Sequence, residues 1–302
     1  MTKFTSQRVQ RMSDQLRHQE LNFDNVIIHS HFRHFEKQVK DSGLSIKLGH
    51  IGEEHYFIDD QKYTIRPGRF LIINRHRSFD CYLKSDTPVE ALCIYLSDAI
   101  IRETAAQLSR SQEEMLDNPF SCSAEEPPCF MEKVYHVCEN ELGEFLAAIR
   151  PLLVAGQLLD FETLFYTLAE KLLRSQQQIE RQMQGIGAKR RSTREELYRR
   201  LCIARQYILE NFQKDIQLDE LSRKATLSKY HLLRTYKEAF GTTPYRQVLD
   251  LRLEASVALL KDGHALEDIA FRLGFSDRRS FTKAFKKVFG VAPSVMREEM
   301  GG

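Results

Sequence analysis

The last third of this 302-residue chain contains one pattern twice. Each copy places apolar residues at i, i+3 and i+7, which forms the buried face of a short helix. These residues are Leu218, Leu221 and Ala225 in the first copy and Leu266, Ile269 and Leu273 in the second. Each copy then breaks, continues with a serine suited to cap a second helix (Ser228 or Ser276), and ends in Phe-Gly-x-x-Pro. Two helix-turn-helix units are therefore predicted.

The two copies differ in their turns. Ser228 and Ser276 are 48 residues apart, whereas the terminal Gly241 and Gly290 are 49 apart, so the second copy has one added residue, near Asp277. Gly274 occupies the second turn, where left-handed backbone is easiest for glycine, and the first copy has Thr226 there.

The segment between the copies predicts one longer helix, from Tyr245 to Leu260, with a wide apolar stripe. At 1.5 Å per residue it spans roughly 24 Å. Two helices that enter successive major grooves on one face of DNA lie about 34 Å apart. A rigid spacer of this length, together with the width of each unit, is compatible with that separation.

Residues from about Glu195 to Met300 resemble the DNA-binding domain of AraC/XylS-type transcription regulators over its whole length. The matching positions are Ser228-Lys229-Tyr230-His231-Leu232, Arg234, Tyr236, Arg252, the run from Ile269 to Phe275, Phe281, Phe285 and Lys286. The chain departs from the family at Met296, where tyrosine is usual. The resemblance implies a sequence-specific transcription regulator that binds double-stranded promoter DNA, acts with RNA polymerase and responds to a small-molecule effector. Activation is the common outcome in this family.

The side chains expected to face DNA follow from removing the core face of each second helix. Leu232 and Tyr236 are expected to pack inward, as are Phe281 and Phe285, and in the family the positions of Tyr230, Leu233 and Arg234 approach bases. An arginine can read guanine bidentately, and leucine can contact a thymine methyl. The predicted DNA-binding set is Tyr230, Leu233, Arg234, Lys237, Arg278, Arg279, Thr282, Lys283 and Lys286. The alternative is that these basic residues are merely solvated.

Charge and length divide the chain in two. Residues 192–302 carry 20 basic and 15 acidic side chains, whereas the remainder carries 24 and 27, so the overall +2 hides a basic C-terminal part. A length near 300 is typical of two domains. We predict a sensing and dimerisation domain at 20–183, a linker at 184–193 that lacks apolar periodicity, and a DNA-binding domain at 194–302.

Short apolar runs separated by turns fill the stretch from Leu44 to Leu96, which predicts an antiparallel sandwich or small barrel. The segment before it, Met1 to Gln19, is polar and is expected to be loosely ordered. The usual partner domain in the family is cupin-like, and the Pro67-Gly68 turn before a buried run resembles it. The predicted fold class is α+β: an N-terminal cupin-like β-barrel with trailing helices and an all-α double helix-turn-helix domain.

A small barrel can enclose one small ligand. The candidate ligand-binding residues are His50, His55, Tyr56, Arg75, His76 and Tyr82. A metal site built from His50, Glu54, His55 and His76 is the weaker hypothesis, because metal-binding cupins have a His-x-His pair. No metal and no cofactor are therefore predicted. The basic loop from Asn74 to Arg77 is suited to hold a carboxylate or phosphate, or is a solvated turn.

Helices are predicted after the strands. In the last of them, from Leu158 to about Arg181, apolar residues recur at alternating steps of three and four: Leu158, Phe161, Phe165, Leu168 and Leu172. Since family members often dimerise through such helices, we predict a homodimer through this seam. The alternative is that the seam covers the barrel.

The six cysteines are irregularly spaced, with no Cys-x-x-Cys pair, which favours reduced thiols in the cytoplasm. No apolar run approaches the 18 residues of a membrane span. No motif of a hydrolase, a phosphate-binding loop or a zinc protease occurs, so no enzymatic activity is expected. The alternatives are a metal-dependent cupin enzyme fused to a DNA-binding domain, and a ligand-independent regulator that binds proteins.

Overall fold

The computed structural model describes residues 9–14, 24–59, 61–109, 127–157 and 160–301. The chain divides into two compact units, Met1–Ile179 and Glu180–Gly302. They are called the N-terminal and C-terminal units below. Among the described residues, no helix is both long and apolar enough to cross a membrane.

The N-terminal unit is built on one sheet of eight strands among its described residues. The strands are β1 (Val9–Ser13), β2 (Val26–Ser42), β3 (Leu44–Ile51), β4 (Glu54–Ile58), β5 (Gln61–Ile65), β6 (Arg69–Ile73), β7 (Arg77–Leu96) and β8 (Val134–His136). Their order is β1-β2-β7-β3-β6-β8, and β4 pairs with both β5 and β7. Only β1 and β2 pair in parallel among these strands. The cupin-like sheet is therefore not closed into a complete barrel by the described strands.

Two very long strands shape this sheet. β2 has 17 residues and pairs with the 20-residue β7 from Val26 opposite Tyr95 to Ser42 opposite Arg77, with two register shifts on the way. Such irregularities bend a strand and raise its twist. β7 thereby pairs with β3 along its second half and with β4 along its first half, so it borders both parts of the sheet.

Three strands lie where none was predicted. β1 lies in the segment expected to be loosely ordered, and β2 and β8 were not recognised. Beyond Phe32, β2 exposes most of its residues, so charged and polar side chains hide its alternation. β8 has three residues, too few for any period to be seen.

Among the described residues of this unit, α1 (Asp98–Ser109) follows β7, and α2 (Glu141–Ala155) and α3 (Phe161–Gly185) follow β8. Ser97 caps α1, because its Oγ accepts a hydrogen bond from the Ile100 N–H at 3.3 Å. Asn140 caps α2 in the same way through Gly143, and Gly156 ends α2 in the left-handed conformation.

The C-terminal unit is helical, and it also contains the end of α3. Its further helices are α4 (Arg191–Asn211), α5 (Leu218–Ala225), α6 (Lys229–Phe240), α7 (Pro244–Lys261), α8 (Leu266–Arg272), α9 (Arg278–Phe289) and α10 (Pro293–Gly301). α5 and α6 form the first predicted helix-turn-helix, and α8 and α9 form the second. The longer α7 lies between them in the chain, as the apolar stripe predicted.

The predicted linker at 184–193 is corrected by the helices around it. α3 continues to Gly185 and α4 begins at Arg191, so only residues 186–190 lie outside helices. This short connection is also anchored. Ile186 is 2% exposed, and the Gly187 N–H donates to Glu238 Oε2 at 3.3 Å. The end of α3 and the start of α4 were not predicted because residues 184–193 lack apolar periodicity.

Candidate DNA-binding helices and ligand cavity

The first recognition helix, α6, has one buried and one exposed face. Leu232, Tyr236 and Ala239 are buried, and the edge of the Tyr236 ring packs on Phe240 with centroids 4.7 Å apart. The four predicted DNA-binding residues of this helix are exposed: Tyr230, Leu233, Arg234 and Lys237. Tyr230 is 77% exposed, so its ring is accessible to a partner.

Arg234 has a weak intramolecular partner. Its Nε lies 3.7 Å from Glu238 Oε1, one helical turn later, and both side chains are accessible to solvent. An exposed pair at this separation contributes little to stability. The arginine can therefore leave Glu238 for a DNA acceptor at small cost.

The second recognition helix, α9, has the same design with different exposed residues. Phe281 and Phe285 are fully buried in a core with α7 and α8, while Arg279, Lys283 and Lys286 are exposed and Thr282 is half-buried. The exposed Arg278 is tied back to α8, since its Nη1 donates to Glu267 Oε1 at 2.8 Å. Arg279 and Lys283 are therefore better placed than Arg278 to contact DNA without breaking an ion pair.

The caps of the two helices differ from the predicted pair of serines. Ser228 caps α6, and its Oγ accepts from the His231 N–H at 3.3 Å. The cap of α9 is Asp277 rather than Ser276: Asp277 Oδ1 accepts from the Ser280 N–H at 2.7 Å. The residue added to the second copy is therefore at the cap, and Ser276 instead bonds the side chains of Asp277 and Ser280.

Arg252 in α7 holds the second turn. Its guanidinium donates to three backbone carbonyls, those of Phe212, Gly274 and Lys214, at 2.6, 2.6 and 2.8 Å. A guanidinium can serve several acceptors at once because its five N–H groups are fixed in one plane. Arg252 therefore links the end of α4 to the turn before α9.

The N-terminal unit contains a cavity on one face of its sheet. Its walls are mainly aromatic and apolar, and they include Phe32, Phe35, Tyr56, Phe79 and Tyr95. The alternation of the strands explains the choice of residues, because Glu54 and Tyr56 point into this face of β4, and Phe79 and Cys81 do so on β7.

One lysine and one carboxyl-bearing residue are buried in this cavity. Lys47 on β3 is 2% exposed, and its Nζ donates to the Tyr95 hydroxyl at 2.8 Å. Glu54 on β4 is 7% exposed and accepts from the Tyr56 hydroxyl at 3.0 Å. Burial raises the pKa of the Glu54 carboxyl above its ordinary value.

Two family models match the chain. Residues 221–299 match a helix-turn-helix domain, and residues 24–150 match an AraC-like ligand binding domain. The probable transcription factor PqrA of Proteus vulgaris is 38% identical over 84 residues, which are 28% of this chain and 69% of that protein. The chain belongs to the AraC family of transcription regulators.

Other AraC-type matches extend over more of the chain or include a solved structure. The uncharacterized HTH-type transcriptional regulator YbfI of Bacillus subtilis (strain 168) is 26% identical over 228 residues, or 75% of this chain and 74% of that protein. The solved C-terminal domain of AraT, a response regulator from Geobacillus stearothermophilus, is 29% identical and has a TM-score of 0.32, covering 33% of this chain and 84% of that one. The chain spans about a third of the length of several other curated relatives.

Of the six predicted ligand residues of this AraC-type protein, Tyr56 alone lines the cavity. His55 and Tyr82 lie on the opposite faces of β4 and β7, and His55 Nδ1 is 3.0 Å from Thr64 Oγ1. His50 is near Glu90, with Nε2 3.9 Å from the carboxylate. His50, His55 and Tyr82 therefore lie outside this cavity, and their role in ligand binding stays a prediction, because the face of a strand residue cannot be assigned before its register is known.

Arg75 and His76 also lie outside the cavity and have partners within the chain. Arg75 donates to the Pro127 carbonyl, and the exposed His76 has its Nδ1 2.7 Å from Asp41. The basic loop does hold a carboxylate, but one from the chain itself: Arg77 Nη2 donates to the buried Glu132 at 2.7 Å. This pair, with the Asn74 N–H, holds the pKa of the Glu132 carboxyl below its ordinary value in spite of burial.

The four residues of the metal hypothesis are not brought together. Glu54 points into the cavity, whereas His55, His50 and His76 have separate partners on other surfaces. Within the described ranges, no group of three or more His, Cys, Asp or Glu side chains is arranged to hold a metal ion.

The predicted dimer seam is buried inside the protomer. Phe165, Leu168 and Leu172 are at most 1% exposed, and Phe161 is half-buried; Leu158 lies outside the described residues. The same helix contacts its own unit elsewhere, since Asn140 donates to Ser175 Oγ at 2.7 Å. The dimer prediction for this seam was wrong, because periodicity reveals an apolar stripe but not what covers it.

Several important residues were missed in the sequence. Lys47 is the main one, and its signal was a lysine in the middle of Leu44–Leu48, a run buried on both faces of β3. A charged residue in such a strand is rare unless it is paired or functional. Asp277 was noticed as an insertion but not as a cap.

Proposed function

We propose that this AraC-type protein is a one-component regulator in the cytoplasm: a small molecule binds the N-terminal unit, and α6 and α9 bind promoter DNA. The observation that carries the proposal is the pair of recognition helices, each with a buried aromatic face and an exposed basic face. Each helix is then able to place side chains against base edges and phosphates in a major groove.

The bases are read by different residues in the two copies. In α6 we propose Tyr230, Leu233 and Arg234, with Lys237 on phosphate. In α9 we propose Arg279, Thr282 and Lys283 at the bases and Lys286 on phosphate; Arg278 joins them only if it leaves Glu267. The DNA site is therefore asymmetric within one protomer and is not required to be a palindrome.

Activation of transcription with RNA polymerase is part of the proposal. It is supported by a relative that is 32% identical over 104 residues and is named HTH-type transcriptional activator RhaS, from Escherichia coli O139:H28. We propose no enzymatic activity, since the relative matched over 75% of the chain carries the name of a regulator. Homodimerisation stays a prediction, and it needs a surface other than the seam of α3.

The experiment selects DNA from a random pool with the full chain and then repeats the selection with Arg234→Ala and Arg279→Ala. Each variant is expected to lose about 1–3 kcal/mol of discrimination at its own base position, with the two positions about one helical turn apart. Lys261→Ala, which removes an exposed charge outside both recognition helices, is the control. If both arginine variants weaken binding equally on every sequence, these residues contact phosphates and the base-reading assignment fails.

A further inference from the structure

Lys47 is an unusual residue for the inside of a sheet. It lies between Ile46 and Leu48, which are fully buried, and its own side chain is 2% exposed. A buried ammonium is costly unless it is paired or serves a function. Its hydrogen bond goes to the neutral Tyr95 hydroxyl, and its Nζ lies 4.3 Å from the centre of the same ring.

Within the described residues no carboxylate bonds this cation directly, although its charge acts on Glu54 and opposes the rise in the pKa of that carboxyl. Among the described residues, the ion pairs within 4.0 Å do not include one to Lys47, although Glu54 lines the same cavity. Glu54 instead accepts from the Tyr56 hydroxyl. The cation and the carboxyl therefore mark two separate polar points of one cavity.

The charge of the cavity favours an anion. Among the described residues, the Lys, Arg, Asp and Glu side chains that line the cavity are Lys37, Lys47 and Glu54. Burial lowers the pKa of Lys47, but its neighbours Cys93 and Tyr95 outweigh that effect and leave the pKa raised. Burial also favours the protonated form of Glu54. With two lysines against one carboxyl, the formal charge of the cavity is positive even if Glu54 is ionised.

The size and walls of the cavity limit the ligand further. The cavity has a volume of about 70 Å³, which is room for roughly five to ten non-hydrogen atoms. Ile28, Phe35, Val39 and Phe79 also line the cavity, and they suit a compact apolar or aromatic body. A sugar would leave most of its hydroxyls without partners on such walls.

We propose that this cavity is the effector site and that its ligand is a small organic acid, held with its carboxylate on Lys47 and its body against Phe79 and Phe35. A hydroxyl or amino group at the other end of the ligand would reach Glu54. The inference rests on the proposed effector-binding function of the N-terminal unit and names the chemical class of the effector.

The test is a thermal-shift series on the full chain with small acids and their primary amides. Butyrate, benzoate and 4-hydroxybenzoate are compared with butyramide, benzamide and 4-hydroxybenzamide. At ten times its dissociation constant, a binding acid should raise the melting temperature by about 2–4 °C, whereas its amide should raise it much less. This comparison needs no variant, so it does not depend on how a substitution folds.

Lys47→Met is the matching variant, because methionine keeps the volume and removes the charge. It is expected to weaken binding of the acids by about tenfold or more, and to remove the preference for acid over amide. Lys84→Met, at an exposed position of β7, should leave both unchanged.

The inference is overturned if no acid of the series stabilises the protein, if the amides stabilise it equally, or if Lys47→Met binds the acids as well as the wild type. Binding of the selected DNA by Lys47→Met is measured in parallel. Loss of acid binding with DNA binding retained supports the site. Retained DNA binding with no response to any acid removes the ligand assignment but not the proposed regulator.

Discussion

The two helix-turn-helix copies share their recognition helices and differ in their turns. α6 and α9 both have 12 residues, and both end at a left-handed glycine, Gly241 or Gly290, whose N–H bonds back into the helix. The turn before α6 has Thr226 at φ 53°, whereas the turn before α9 has Gly274 at φ 74°. The two copies therefore share the length of the recognition helix and the glycine that ends it, and they differ in the turn that precedes it.

The surroundings explain why one turn accepts a side chain and the other does not. The Thr226 carbonyl accepts one bond from Arg200, at 3.3 Å, and the turn is exposed. A Cβ at Gly274 would lie 2.3 Å from the Gln213 carbonyl oxygen and 2.8 Å from Arg252 Nη2. The second turn is packed against its neighbours, and the first is free of such a constraint at this position.

The largest expected effect is that of Gly274→Ala. The new methyl group clashes with a backbone carbonyl and with the guanidinium that holds the turn, and the left-handed conformation is itself unfavourable for alanine. We expect a loss of about 3 kcal/mol in the free energy of unfolding. Urea denaturation of the full chain, followed by circular dichroism, measures this loss.

Thr226→Ala is the matched control, since it places the same residue at the equivalent turn. Its expected change is within about 0.5 kcal/mol, because a Cβ is already accommodated there. Equal losses in the two variants would mean that the two turns are constrained alike, contrary to the packing difference described above.

The sequence predicted the C-terminal unit better than the N-terminal one for a physical reason. Helical periodicity and caps are local, so α5, α6, α8 and α9 were recognisable from neighbouring residues. The face on which a strand residue lies depends on pairing with distant residues. The sequence could not show for that reason that Tyr56 lines the cavity whereas His55, its neighbour on β4, does not.

A local sequence pattern also does not show which part of the protein covers an apolar stripe. The seam of Phe165, Leu168 and Leu172 was correctly seen as apolar, but the chain itself covers it. Lys47 was passed over because it interrupts an apolar run, which is also the signal that distinguishes it. Ser276 matched the spelling of the first copy, yet the inserted Asp277 took over the cap, so an alignment of two copies does not identify the residue that bonds the backbone.

The two caps are expected to respond differently to pH. Hydrogen bonds from the Ser280 N–H and side chain hold the pKa of the Asp277 carboxyl below its ordinary 3.8. A depressed pKa stabilises the fold above pH 3.8 and loses that contribution as the pH falls through the folded-state value. Asp277→Ala should therefore destabilise the protein at pH 7 but progressively less below pH 4.

Ser228→Ala is the control for this prediction, since a hydroxyl cap does not titrate over that range. We expect it to cost about 1 kcal/mol at every pH at which the protein stays folded. Denaturation curves of both variants and the wild type at several pH values check this difference. A cost of Asp277→Ala that stays constant down to pH 3 would show that the carboxylate is not the effective cap.

The smallest expected effect is a gain from Thr226→Gly, which gives the first turn the residue of the second. A β-branched residue in left-handed backbone is strained, and glycine removes the strain but loses more chain entropy on folding. Because the two effects oppose each other, the net stabilisation should be about 0.5 kcal/mol. Thr226→Asn, which tolerates this conformation with less entropy loss, should gain at least as much. If both substitutions destabilise the protein, the Thr226 side chain contributes contacts that outweigh its backbone strain, and the first turn is then as specific in its residue as the second.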